Sequence, residues 1–99
     1  MARFDVYEGF GGGEFLLDCQ SNLLADMQTR FVVPLRPVRN APPPIRRLNP
    51  VFQIGGDEFV MMTQQAATIP KRECGPIVAT LAAADATILN ALDMLISGY

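Results

Sequence analysis

Near the amino terminus the apolar residues Phe4, Val6 and Phe10 interleave with polar Arg3, Asp5 and Glu8. That is the period of a strand with one face in the core. The glycine-rich stretch "EGFGGGEF" follows, and residues 14–19 read as a second strand, so a hairpin is predicted. No Lys-Ser/Thr pair and no helix follow these glycines, which leaves little to hold a phosphate. "RFVVPL" at 30–35 is short and β-branched, a third strand, with Pro34 marking its end or an edge. Residues 36–50 carry five prolines, Pro37, Pro42, Pro43, Pro44 and Pro50, which forbid helix and favour an extended loop. "VFQI" and "EFVMMT" are two further strands joined by Gly55-Gly56-Asp57, and "QQAATIP" at 64–70 is another, ending in the turn "KRECGP".

From Pro76 the period changes. Ile77, Leu81, Ala84, Ile88, Leu92 and Leu95 recur every three or four residues, which predicts a helix from Gly75-Pro76 to Gly98. Val78, Leu89, Met94 and Ile96 widen its apolar arc, and only Asp85, Asn90 and Asp93 are strongly polar. A helix apolar over so wide an arc is expected to be buried on two sides, one on the sheet and one against a second copy of the chain; the alternative is a helix wrapped inside its own small barrel. Ile88, Leu92, Leu95 and Ile96 are the candidate dimer-interface residues.

Ninety-nine residues make a single domain, expected to span 1–99. Hydrophobic residues are 49 % and charged residues 18 %, which supports a packed core and argues against disorder. A net charge of −2 gives no overall pull toward nucleic acid or an anionic membrane. Histidine is absent, which removes the commonest metal ligand and general base. Cys19 and Cys74 form no CxxC and are expected to be reduced thiols. No signal peptide and no uncharged apolar run of about 18 residues is present, so a cytoplasmic protein without a membrane span is expected.

One pentapeptide tempts a different reading. "GGDEF" at 55–59 is the signature of the enzymes that join two GTP molecules into cyclic-di-GMP. Those need carboxylates on Mg²⁺ and a nucleotide pocket inside a longer α/β domain. Here strands and a proline loop precede the motif, and "RRLN" at 46–49 has Asn49 where that family's RxxD site has aspartate. The hairpin-turn reading of Gly55 and Gly56 is preferred.

Several blocks in register point elsewhere. "FDVYEG", "DCQSNLL", "RFVVPL", "NPVFQIGGDEFVMMTQQAATIP" and a terminal "SGY" follow one another over essentially the whole chain. Their order and spacing resemble the CcdB family of toxins. The resemblance implies a mainly β (α+β) fold: an SH3-like barrel, built as a five-stranded antiparallel sheet with a small extra sheet and a C-terminal α-helix. It also implies a homodimer that binds the A subunit of DNA gyrase and traps it on cleaved DNA. A CcdA-like antitoxin would release it and share in regulating transcription. No catalytic residue, cofactor, metal, membrane or direct nucleic-acid partner is implied.

Carried over position by position, the candidate gyrase-binding residues are Leu23 and Leu24 after "QS", then Asp93, Ile96, Ser97, Gly98 and Tyr99. The family's terminal Trp-Gly-Ile falls on Ser97-Gly98-Tyr99, so only Gly98 is kept. Its Asn near the end falls on Asp93, and the aromatic before its Trp falls on Ile96. Ser97 lacks the area of a tryptophan anchor, and Asp93 brings a charge. Two alternatives stay open. The MazF/Kid ribonucleases share the barrel type, and Arg30, Arg36, Arg39, Arg46, Arg47, Ser21 and Thr29 are the residues such chemistry would draw on. A family member that binds antitoxin but no longer gyrase would also keep the scaffold and change the tip.

Overall fold

The computed structural model describes residues 1–9 and 13–98; Phe10 and Tyr99, both singled out above, lie outside them. Among the described residues seven strands are seen: β1 (Asp5–Glu8), β2 (Phe15–Asp18), β3 (Thr29–Pro37), β4 (Val51–Ile54), β5 (Asp57–Met61), β6 (Ala67–Pro70) and β7 (Ile77–Thr80). One α-helix, α1 (Asp85–Ser97), closes the chain. Every pairing is antiparallel, in the order β4-β5-β3-β2-β1-β7, with β6 attached to β3. The result is a curled half-barrel with a C-terminal helix, an SH3-like α+β arrangement.

The long strand β3 organises the sheet. One edge pairs β2; along the other, Thr29–Val32 pairs β6 and Leu35–Pro37 pairs β5. Pro34 sits where that partner changes. It is therefore neither a strand end nor on a sheet edge. Its carbonyl accepts from the Met62 N–H at 2.9 Å. In a strand a residue's N–H and C=O point to the same side, so the missing donor falls in the gap between β6 and β5, where no ladder bond is lost.

The β4–β5 hairpin turns on Gly55 (φ 62°) and Gly56 (φ 89°), with Ile54 opposite Asp57. Two consecutive positive φ values define a type I′ turn, the loop whose twist matches the flanking strands. The pentapeptide is a hairpin, and Asp57 and Glu58 are exposed.

The chain after Gly75 departs from the helix expected there. Ile77–Thr80 is strand β7 against β1, and helix begins at Asp85 after a 3-10 turn over Ala82–Ala84. The N–H of Glu8 donates to the Pro76 carbonyl and the Gly75 N–H donates to the Glu8 carbonyl. A Cβ on Gly75 would lie 2.6 Å from that carbonyl oxygen, so the glycine serves a close strand approach. Tyr7 pairs Ile77 but Val6 pairs Ala79, leaving Val78 as a bulge residue. The expected stop is present: Gly98 is left-handed (φ 80°) and its N–H donates to the Met94 carbonyl.

The main core joins Val6, Leu17, Val33, Leu35, Phe59 and Met61 of the sheet to Ile88, Ala91 and Leu92 of α1. Two of the four candidate interface residues, Ile88 and Leu92, thus pack inside their own chain. They occupy the stripe facing the sheet, and the outward arc is Leu89, Leu95 and Ile96. The opposite sheet face holds a smaller cluster of Tyr7, Leu16 and Val32, with Ile69 and Cys74 against it.

Candidate functional site

The block "DCQSNLL" folds as a chain of small tasks. Asp18, at the end of β2, is fully buried. Its Oδ2 accepts from the Tyr7 hydroxyl at 2.5 Å and from Arg30 Nε at 2.9 Å, while its Oδ1 accepts from the Gln20 N–H. Arg30 is also fully buried, its Nη2 lies 2.7 Å from the same carboxylate oxygen, and its Nη1 has no partner among the described residues. Cys19 packs on the main core. Gln20 then bridges two segments: its Oε1 accepts from the Phe31 N–H and its Nε2 donates to the Leu24 carbonyl. Ser21 Oγ caps the 3-10 turn Asn22–Leu24 by accepting from the Leu23 N–H. Asn22 Oδ1 accepts from the Arg3 N–H, and Lys71 Nζ reaches the Ala25 carbonyl at 3.4 Å.

These clamps hold two leucines in water. Leu23 is 94 % exposed and Leu24 is 49 % exposed. Met27, in the same loop, is also exposed. An apolar side chain on a flexible loop can fold back on the surface; a capped turn tied to Arg3 and to Phe31 of β3 restrains that.

The second group stands on the end of α1. Ile96 is 79 % exposed, and Asp93, Leu95, Ser97 and Gly98 are exposed beside it. Asp93 faces solvent, so its charge carries no burial cost in the isolated chain. The two groups come from separate elements and share no hydrogen bond among the described residues.

The structure spreads the residues that ribonuclease chemistry would draw on over several elements, with Arg39, Arg46 and Arg47 exposed. Arg30 is interior, Arg36 Nε lies 3.6 Å from Glu14 Oε2, Ser21 is a turn cap, and Thr29 opens β3. Among the described residues no three Cys, Asp or Glu side chains cluster as a metal site. Among the described residues no helix is long and apolar enough to cross a membrane.

Burial pushes the Cys19 thiol up to about 12, and the Asp18 charge adds to the shift. Burial, then the Asp18 hydrogen bond, drives the Tyr7 phenol far above its ordinary range; Cys74 is raised chiefly by burial. All three groups hold their proton more tightly in the folded chain. Their contribution is whole below the unfolded values and is lost as pH rises past them. Stability is thus expected to fall above about pH 9, by about 1.4 kcal/mol per pH unit for each group in its window. Urea midpoints between pH 8 and 11 measure the slope, and Cys19→Ala should make it shallower. An unchanged slope in that variant would contradict the assignment.

The sequence matches the family model described as CcdB protein over residues 3–98. The match takes in the leucine turn, the whole sheet and α1 through Gly98. The chain therefore belongs to the CcdB family, toxins of toxin–antitoxin systems that inhibit DNA gyrase.

Proposed function

We propose that this protein is a toxin that works by binding rather than by catalysis: a homodimer that docks on the A subunit of DNA gyrase and holds it on cleaved DNA, and that a CcdA-like antitoxin neutralises. The observation that carries this reading is the pair of apolar groups kept in water, Leu23 at 94 % and Ile96 at 79 % exposure. Apolar side chains held in water on braced elements give a partner apolar area to cover. Leu24 follows Leu23 in the turn; Asp93, Ser97 and Gly98 accompany Ile96 at the end of α1, with Tyr99 next in sequence. Of the four interface candidates, Leu95 and Ile96 lie on the outward arc of α1 and are left for a second copy.

Ser97 favours a second reading. A serine offers little area where the family places tryptophan, so a chain that binds antitoxin and leaves gyrase alone would carry this tip. A cleavage assay separates the two. Purified gyrase, supercoiled plasmid and ATP are incubated with micromolar toxin and then quenched with detergent and protease. Linear DNA is expected with the native chain and absent with Leu23→Asp or with Tyr99 deleted. If the native chain yields none yet still binds antitoxin, the second reading replaces the first.

A further inference from the structure

The five methionines of this chain sit in different settings. Met61 and Met62 are fully buried in the fold, and Met94 is half-buried on α1. Met1 and Met27 are exposed, and Met27, at 47 %, belongs to neither core cluster. It shares its loop with Leu23 and Leu24, the other apolar side chains held in water there.

The backbone on either side of Met27 is fixed. The Met27 N–H donates to the Leu24 carbonyl at 3.2 Å, and the Gln28 carbonyl accepts from the Lys71 N–H at 2.8 Å. A chemical change at the sulfur would therefore alter the surface of the turn and leave its hydrogen bonds in place.

Two kinds of sulfur compete for an oxidant here, and burial separates them. A thiol attacks a peroxide as its thiolate. Cys19 and Cys74 are half-buried, and burial pushes both thiols up, Cys19 to about 12, so almost no thiolate is present at neutral pH. A thioether has no proton to lose and needs only access.

We infer that Met27 is an oxidation site through which a hydroperoxide weakens docking at the leucine turn, a regulation of that surface that rests on the gyrase reading. The sulfur lone pair takes the terminal oxygen of the peroxide. An S–O bond forms as the O–O bond breaks, and the hydroxyl proton passes to the leaving oxygen, which departs as water or an alcohol. The sulfur is oxidised and the peroxide reduced. The sulfoxide sets a strong acceptor oxygen among apolar groups, and a partner covering the turn must pair that oxygen or bury it unpaired. A methionine sulfoxide reductase reverses the step: the oxygen leaves as water while a dithiol closes to a disulfide. Oxidation of Met61 or Met62 would instead disrupt the core, so the exposed position is the one that changes binding without unfolding the chain.

The test treats the whole chain with hydrogen peroxide at neutral pH and removes the excess with catalase. Part of each sample is digested for peptide mass mapping, and part enters the gyrase cleavage assay. Met27 sulfoxide is expected to reach half conversion while Met61 and Met62 stay unmodified and the melting temperature holds. The oxidised chain should need about fivefold more protein, or beyond, for the same linear DNA. Methionine sulfoxide reductases for both sulfoxide epimers, with dithiothreitol, should restore it. In Met27→Leu, scored against its own untreated sample, peroxide should leave cleavage unmoved. Oxidation of the buried methionines ahead of Met27, an equal loss in treated Met27→Leu, a loss that the reductases do not reverse, or undiminished linear DNA from the oxidised native chain would each overturn this inference alone. No linear DNA from the untreated chain would overturn the gyrase reading, and this inference with it.

Discussion

Arg30→Ala is expected to lower the stability of the fold by about 3–5 kcal/mol, because it strands the Asp18 carboxylate in the interior with the Tyr7 hydroxyl as its remaining side-chain partner. For a chain of this length that is a fall in melting temperature of roughly 15–30 °C. Removing the whole network at once should do less harm. Asp18→Leu with Arg30→Met and Tyr7→Phe leaves no unpaired charge or hydroxyl, and such swaps are often neutral for stability. Thermal melts of the single and triple variants decide the matter. A triple variant no more stable than Arg30→Ala would mean that the network contributes packing, not electrostatics. The triple variant also tests presentation of the leucines, since Asp18 Oδ1 anchors the Gln20 N–H. It should keep the melt yet loosen the 21–27 loop, seen as faster amide exchange there.

The second large effect contrasts two isoleucines of one helix. Ile88 is fully buried in the main core, and Ile88→Ala should cost about 2–5 kcal/mol through lost contacts and the cavity left behind. Ile96 is 79 % exposed, and Ile96→Ala should leave the stability of the single chain within about 0.5 kcal/mol. Its effect belongs to complexes: gyrase cleavage, or self-association followed by analytical ultracentrifugation, should weaken about tenfold or more. An Ile96→Ala protein with native gyrase activity and native self-association would remove the helix tip from both roles. Urea titration of the same two proteins checks that the stability losses fall in the stated order.

How much of this was legible in the sequence depended on the range over which each feature is decided. The Gly55-Gly56 turn was readable because a type I′ hairpin needs two positive φ values and nothing from elsewhere. The Gly98 cap is equally local. The start of the last helix was not readable. Ile77, Leu81 and Ala84 satisfy a helical period, yet Ile77–Thr80 is also a short β-branched run, and the unfilled edge of β1 decided between them. The same limit blurs α1: its wide apolar arc announces two contacts without saying which stripe faces the sheet, so the candidate interface set includes Ile88 and Leu92, which pack inside the chain. Leu23 and Leu24 were legible through the family blocks, but their exposure was not, because the clamps come from Arg3, Phe31 and Lys71. The Asp18–Arg30 pair left no signal at all. Its members are 12 positions apart and meet only through the register of β2 on β3.

Asp18 joins two things usually kept separate in a small protein. One oxygen belongs to the interior and the other to the loop that meets the outside world. The leucine turn is therefore not a portable cassette. Transplanted to another scaffold without the buried arginine and tyrosine, it would lose its footing, and the same coupling narrows the routes by which natural variation can retune the recognition loop while the interior stays intact.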